Sequence, residues 1–253
     1  NIIIYGAGYV GLTLGIFFAK NKSNVIFIEN DKNKLKKLKN GICPIYEKNV
    51  ELEFKKNLSK FIFLDKFRFN QRDQNYIFIT FTYFPNKFKD YSNNIKEMLI
   101  SKRNFIMIRS TLPVGFFDKL FSIKFFKKME NNIVYCPERT LSGDALNELK
   151  KLPQVIGGNK VSIKKANLFF RKYKIKTIPI DNFSISEFIK IYTNFARMTV
   201  FNLSNFAGLF SNILKYDEIK LYNYLKRSYS RLNFISPFGP GVGGFCLPKD
   251  TKI

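Results

Sequence analysis

The end of the chain carries a cysteine, Cys246, inside the glycine-rich segment Gly239-Pro-Gly-Val-Gly-Gly-Phe-Cys-Leu-Pro-Lys-Asp250. A thiolate is a strong nucleophile, and this one lies beside a lysine and an aspartate. The pattern predicts a catalytic nucleophile at Cys246. Cys43 and Cys136 each stand beside a loop proline without a basic neighbourhood, so we expect them to be inert packing residues.

The start of the chain predicts a dinucleotide site. An apolar run, Ile2–Tyr5, leads into Gly6-Ala-Gly-Tyr-Val-Gly11, in which the glycines permit a tight turn, approach of backbone to a pyrophosphate, and close packing of helix on strand. A second strand ends at Glu29, placed to hold a ribose 2′-hydroxyl and to repel a 2′-phosphate. The expected cofactor is therefore NAD, held by Gly6, Gly8, Tyr9, Val10, Gly11 and Glu29. In the alternative interpretation the glycines serve only packing. A nicotinamide and a thiol together suggest oxidation at the aldehyde level.

Composition limits the other functional classes. The 253 residues are 45% hydrophobic, enough for a full core, and their net charge is +24. The lysines are mostly scattered and no nucleic-acid reader motif is present, so we expect no nucleic-acid partner. Histidine is absent, which leaves acid and base work to carboxylates, lysines, tyrosines, the thiol or water, and we expect no metal.

The expected compartment follows from hydropathy and cysteine usage. No apolar run reaches the length of a bilayer span, and no secretory leader opens the sequence. Three cysteines leave an odd one over, which favours reduced thiols. We expect a cytoplasmic protein with no membrane partner.

Alternating strand and helix patterns from residue 1 to about 180 predict a doubly wound α/β domain with a parallel sheet. The predicted strands are Ile2–Tyr5, Val25–Ile28, Phe61–Leu64, Tyr76–Phe81, Phe105–Ile108, Ile133–Tyr135 and Ile175–Ile178. From Ser184 the pattern becomes helical, with a Ser184-x-x-Glu187 capping box, a long helix to about Leu214 and another from Asp217. The predicted domains are 1–180, which binds NAD, and 181–253, which is helical and ends in the cysteine loop.

Taken together, ordered motifs spread over nearly the whole chain resemble those of the UDP-glucose/GDP-mannose dehydrogenase family, whose members are nucleotide-sugar 6-dehydrogenases. The motifs are Gly6–Gly11, Gly41-Ile-Cys-Pro-Ile-Tyr-Glu47, Ser110-Thr-Leu-Pro-Val-Gly115, Cys136-Pro-Glu-Arg-Thr-Leu-Ser-Gly143, Pro153-Gln-Val-Ile-Gly-Gly158, Glu187-x-x-Lys190-x-x-x-Asn194 and Gly239–Asp250. The resemblance implies oxidation of the C6 alcohol of a nucleotide-activated hexose to a carboxylate, in two NAD-dependent hydride transfers. Cys246 would form a thiohemiacetal and then a thioester that water hydrolyses.

The resemblance also implies roles for other residues. Lys190 and Asn194 lie four apart on one helix face and would stabilise an oxyanion; without the other motifs, a solvated polar face would be the preferred interpretation. Thr111 and Asp250 would hold a water, and Glu138 would assist hydrolysis, unless Glu138 is only a loop ion pair with Arg139. The full implied set is Cys246, Lys190, Asn194, Asp250, Glu138 and Thr111 for catalysis; Glu138, Arg139, Lys190, Asn194 and Gly243 at the UDP-sugar; and Thr82 and Thr111 near the NAD.

Several features depart from the family pattern. The resemblance implies a further C-terminal UDP-binding domain, which we expect to be absent from this chain, and Phe206 replaces a common helix glutamate. A non-catalytic NAD-binding or dimerisation remnant of the family therefore stays open as an alternative function. A hydroxy-acid dehydrogenase would not explain the cysteine loop. The family also implies a homodimer through the long helix after Ser184, and this helix is richer in apolar residues than one small domain requires.

Overall fold

The computed structural model describes residues 1–47, 49–67, 73–141, 143–239 and 241. These residues form two compact units, Asn1–Phe188 and Ile189–Ile253. The first unit carries an eight-stranded sheet with helices on both faces, and the second is helical. The predicted fold class, a Rossmann-type sheet followed by a helical region, is confirmed, whereas the domain boundary near residue 181 stays a prediction.

The strands are short runs rich in Ile, Val and Phe, residue types that fit a pleated surface. They are Ile2–Tyr5 (β1), Val25–Ile28 (β2), Phe61–Leu64 (β3), Asn75–Ile79 (β4), Asn104–Ile108 (β5), Ile133–Tyr135 (β6), Gln154–Gly157 (β7) and Thr177–Ile180 (β8). The helices of the first unit are Tyr9–Lys20 (α1), Lys32–Lys39 (α2), Val50–Lys56 (α3), Phe88–Met98 (α4), Phe116–Phe121 (α5), Lys124–Lys128 (α6), Ala145–Lys151 (α7) and Lys160–Lys172 (α8). Two more helices follow, the long helix Phe183–Ile213 (α9) and Glu218–Ser228 (α10).

The strand order in the sheet is β3-β2-β1-β4-β5-β6-β7-β8. Strands β1 to β6 are parallel, so their carboxyl ends lie along one edge, and the chain reverses its winding direction between β1 and β4. Ligands of doubly wound sheets bind at that reversal. Strand β7, which the sequence did not predict, is antiparallel to β6 and parallel to β8.

The core has two layers because alternate residues of each strand point to opposite faces of the sheet. Ile2 and Ile4 of β1 belong to one apolar cluster with the phenylalanines of α1 and α8. Ile3 belongs to the other cluster, together with residues of α4 and α5. Both faces of the sheet are covered, as a parallel sheet requires.

No helix in the described part of the chain is long and apolar enough to cross a bilayer.

The long helix α9 begins differently from the prediction. Asn182 caps it, since its Oδ1 accepts a hydrogen bond from Ile185 N at 3.0 Å, and Ser184 Oγ donates to Asp118 instead. The capping box predicted at Ser184 and Glu187 is therefore wrong. Helix α10 does begin where predicted, because Asp217 accepts from Lys220 N at 2.8 Å.

Candidate functional site

The glycine turn after β1 is held by the neighbouring strand. Gly6 has a φ of +101°, a conformation that favours glycine, and its N–H donates to Ile28 O at 2.9 Å. Thr80, which follows β4, donates its hydroxyl to Gly6 O at 2.6 Å. A β-carbon on Gly11 would stand 1.9 Å from Gly6 O. Sequence reasoning missed Thr80. The pattern that could have indicated it is a residue with a hydroxyl group directly after the strand next to β1.

The amino end of the helix that follows the turn borders open space. Gly8 precedes α1, no side chain caps it, and a β-carbon on Gly8 would meet nothing within 4 Å. Tyr9 and Val10 form the half-buried start of α1, and Tyr9 Oη donates to Leu141 O at 3.3 Å. Open space in front of backbone N–H groups at a helix amino end suits the diphosphate of a dinucleotide.

Glu29 stands at the end of β2 and is 8% exposed. Its Oε2 accepts from Ala7 N at 3.0 Å and pairs with Lys34 Nζ at 2.6 Å, and its Oε1 accepts from Asp31 N at 3.0 Å. A carboxylate has about four acceptor positions, so one remains for a ribose hydroxyl. Lys34 offsets part of the negative charge that the sequence analysis assigned to Glu29. The sequence analysis did not predict this ion pair. Turn, helix end and carboxylate together fit NAD.

Thr82 and Thr111 follow β4 and β5, the two strands next to β1 on the far side of the reversal. Both are half-buried. The topology therefore brings both threonines to the edge of the sheet where the glycine turn lies, as expected for residues beside the nicotinamide end of the cofactor.

Glu138 lies in the loop after β6 and is almost fully buried. Its Oε2 pairs with the guanidinium of Arg109, and its Oε1 accepts from the backbone N–H groups of Arg139 and Thr140, each at 2.9 Å. The Arg139 side chain donates to Pro153 O at 2.6 Å. The sequence analysis considered an ion pair between Glu138 and Arg139. Glu138 instead pairs with Arg109, which directly follows β5. Sequence reasoning missed Arg109. The pattern that could have indicated it is a charged residue directly after an apolar strand.

Lys190 and Asn194 lie one turn apart on α9 and are 7% and 4% exposed. The alternative of a solvated polar face is therefore wrong for these two residues. Glu187, one turn before Lys190, is fully buried in the first unit, where it accepts from Gly115 N at 2.7 Å and Phe117 N at 3.0 Å. Burial raises the pKa of the Glu187 carboxyl to about 7.

The predicted nucleophile Cys246, the predicted water-holding Asp250 and Gly243 lie outside the described residues. The segment that precedes these three residues is hydrogen-bonded to α9 within the second unit. Asn205 Oδ1 accepts from Gly239 N at 2.9 Å, and Ser204 Oγ accepts from Ser236 N at 3.1 Å. These contacts fix the chain up to Gly239, seven residues before Cys246.

The other two thiols have the character expected of packing residues. Cys136 is fully buried, and burial raises the pKa of its thiol to about 12. Cys43 is half-buried, and desolvation raises the pKa of its thiol as well. Neither forms the thiolate readily at neutral pH.

The family is established by comparison with known proteins. Residues 1–174 match the model of the UDP-glucose/GDP-mannose dehydrogenase family, NAD binding domain. The cofactor that the glycine turn and Glu29 fit is thus the one that this domain binds.

Curated relatives and solved structures agree with that match. The chain is 30% identical over 276 residues to UDP-glucose 6-dehydrogenase of Campylobacter jejuni, covering 100% of the chain and 66% of the relative. It is 27% identical to UDP-N-acetyl-D-mannosamine dehydrogenase of Pyrococcus horikoshii, covering 100% of the chain and 63% of the relative. The structure of UDP-D-ManNAc dehydrogenase from Pyrococcus horikoshii shares the fold, with a TM-score of 0.80 at 23% identity over 98% of this chain and 62% of that one. The chain thus spans less than two thirds of the length of these relatives.

Proposed function

Because the chain belongs to the UDP-glucose/GDP-mannose dehydrogenase family, we propose that it forms the NAD-binding and central part of an enzyme that oxidises a nucleotide-activated hexose. The reaction converts the C6 hydroxyl of the sugar to a carboxylate, giving the uronate. Relatives named for UDP-glucose and for UDP-N-acetyl-D-mannosamine favour a UDP-sugar as the substrate.

One observation carries the proposal beyond the family: an ammonium and an amide, Lys190 and Asn194, stand one turn apart on α9 with both side chains buried. Two donors at this spacing suit the oxyanion that develops when a hydroxyl is oxidised or a thiol adds to an aldehyde.

The residues that would hold the cofactor are Gly6, Gly8, Tyr9, Val10 and Gly11 at the diphosphate and Glu29 at the ribose. Thr82 and Thr111 would lie toward the nicotinamide. When bound, NAD supplies the hydride acceptor.

The proposed chemistry splits a four-electron oxidation into two steps. In the first, the C6 hydroxyl loses a proton to a water held by Asp250 and Thr111 and loses a hydride, which leaves the aldehyde. The Cys246 thiol then adds to the aldehyde carbon, and loss of the second hydride from carbon and of the hydroxyl proton to water turns the thiohemiacetal into a thioester. Water cleaves the carbon–sulfur bond, which regenerates the thiol and releases the carboxylate.

We further propose that the enzyme is a homodimer through α9. Exposed apolar side chains recur at three- and four-residue spacing in two stretches of this helix, the pattern of a helix that packs against another. They include Tyr192 and Phe195 in the first stretch and Phe206, Leu209 and Ile213 in the second. The thiol chemistry suits a reducing cytoplasm.

A serine at position 246 tests the proposal. Cys246→Ser keeps a hydroxyl of similar size but removes the thiolate, so we expect no uronate from UDP-glucose or UDP-N-acetylhexosamines. Wild-type protein quenched with acid during turnover should yield a sugar adduct on the peptide that contains residue 246, detected by mass spectrometry. Cys43→Ser is the matched control and should retain both the activity and the adduct. An adduct on another residue, or uronate production by Cys246→Ser, would overturn the proposal, and binding of NAD without any turnover would favour the non-catalytic alternative.

A further inference from the structure

We propose that Glu187, a residue of α9, is a positioning residue for NAD: it holds the β5–α5 loop, residues 109–115, in the conformation that receives the nicotinamide end of the cofactor. The loop carries Thr111, so this inference rests on the proposed placement of Thr111 toward the nicotinamide. Glu187 acts on the cofactor through this loop.

The carboxylate of Glu187 satisfies the amino end of α5. Its Oε2 accepts from Gly115 N at 2.7 Å, and its Oε1 accepts from Phe117 N at 3.0 Å. The residue before α5, Gly115, has no side chain that could cap the helix. Backbone N–H groups at a helix amino end lack partners within the helix and favour negative charge, so a buried carboxylate there is stabilising. Because residue 115 is the last residue of the loop, this contact ties the end of the loop to α9.

The conformation at the end of the loop needs an external contact to fix it. Gly115 has a φ of +86°, in the left-handed region. A β-carbon there would meet nothing within 4 Å, so glycine serves the backbone conformation and not a close approach. Glycine adopts positive and negative φ about equally readily, so the residue type alone does not select this turn. The hydrogen bond from Gly115 N to Glu187 selects it.

The beginning and the middle of the loop are held from the side of the sheet. Ser110 Oγ donates to Phe81 O, in the segment that follows β4, at 2.5 Å. Leu112 is fully buried. Thr111 lies between these two anchored residues, and Glu187 supplies the anchor at the end of the loop. Removal of Glu187 therefore leaves the first two anchors in place and frees the third.

Other contacts keep the start of α9 packed on α5 when the carboxylate is removed. The rings of Phe117 and Phe183 stack with their centroids 4.3 Å apart, and Ser184 Oγ donates to Asp118 Oδ2 at 3.0 Å. We therefore expect Glu187→Ala to loosen the end of the loop while the two helices stay together.

Two ligands that differ only at the nicotinamide test the inference. ADP-ribose has the adenosine, the diphosphate and the second ribose of NAD but lacks the nicotinamide. In calorimetric titrations, Glu187→Ala should bind NAD about three- to tenfold more weakly than wild type, the equivalent of about one hydrogen bond, and should bind ADP-ribose with unchanged affinity. A merely structural loss would weaken the binding of both ligands alike.

Two further variants show whether Glu187 acts through Thr111. Thr111→Val keeps the shape of the side chain, removes its hydroxyl and should give the same pattern. The losses should not add in the double variant, because both changes remove the same contact with NAD. Asn159→Ala is the matched control. It removes the acceptor that caps α8, where Asn159 Oδ1 accepts from Ser162 N at 2.9 Å, and it should leave the affinity for both ligands unchanged.

Several results would overturn the inference. They are wild-type affinity of Glu187→Ala for NAD, an equal loss for NAD and ADP-ribose, wild-type affinity of Thr111→Val for NAD, and additive losses in the double variant. If Glu187→Ala does not fold, Glu187→Gln keeps the shape and one acceptor, and it should show the same selective loss at smaller size. The titrations contain no sugar, so their outcome does not depend on whether the protein oxidises one.

Discussion

Two glycines of the turn after β1 are required for different reasons. Gly11 touches the turn itself, since a β-carbon there would overlap Gly6 O at 1.9 Å and approach Thr80 Oγ1 at 2.8 Å. A β-carbon on Gly8 would meet nothing within 4 Å, so its missing side chain serves whatever occupies the space in front of it. At the scale of single residues, the fold depends on Gly11 and the cofactor on Gly8.

This difference can be measured with a pair of alanine variants. Gly8→Ala should unfold at the same temperature as wild type but bind NAD at least about tenfold more weakly, a loss of about 1.4 kcal/mol. Gly11→Ala should lose about 1–3 kcal/mol of stability, because the backbone of the turn must move. Thermal unfolding and calorimetric titration with NAD give both quantities. Equal effects of the two variants on stability would contradict the assignment.

At the scale of elements, Glu187 joins the second turn of α9 to the start of α5. Its two oxygens accept from Gly115 and Phe117, and Asp118 lies close enough to raise the pKa of Glu187 further. The carboxyl is fully buried, so its protonation is coupled to folding. The pKa of about 7 in the folded chain lies above the ordinary 4.5.

The sign of the resulting pH dependence follows from that difference. Between pH 4.5 and pH 7 the folded chain binds more protons at Glu187 than the unfolded chain does, so this group's contribution is full at low pH and is lost as the pH rises through 7. Glu187→Gln removes the dependence. The free energy of unfolding of the variant, measured relative to that of wild type, should therefore rise on the order of 2–3 kcal/mol between pH 5 and pH 8. Any loss of stability that does not depend on pH cancels in this comparison. Denaturant unfolding at both values measures this. The exposed Glu97→Gln serves as control, and a parallel response of the two variants would refute the coupling.

Sequence patterns identified the elements that depend on neighbouring residues. Helix α10 was placed by Asp217, and the glycine turn by its spacing. The features that the sequence patterns missed depend on contacts between residues that are distant in the chain. Strand β7 is a short run, Gln154–Gly157, whose pairing with β6 is a single bridge. The Arg109–Glu138 pair joins two loops 29 residues apart. Glu187 matched a capping box, yet its carboxylate is used by α5 while Asn182 caps the helix.

At the scale of the whole molecule, the exposed apolar positions of α9 lead us to expect a dimer. Introducing two like charges into that stripe, with Phe206→Glu and Leu209→Glu together, should give a monomer in light scattering with unchanged NAD affinity, because both side chains are exposed in the single chain. Asn93→Glu, at an exposed position on α4, adds a charge elsewhere and should leave the assembly unchanged. A wild-type protein of monomeric mass would refute the proposed dimer.

The count of NADH formed per sugar tests the central claim most directly. With excess NAD and a limiting amount of UDP-glucose or a UDP-N-acetylhexosamine, the absorbance of NADH and the chromatographic loss of sugar give the ratio. Two NADH for each sugar consumed, with uronate as the product, is the result we expect, because the alcohol and then the sulfur-bound aldehyde each give up a hydride. A ratio of one, with free aldehyde released, would contradict the account.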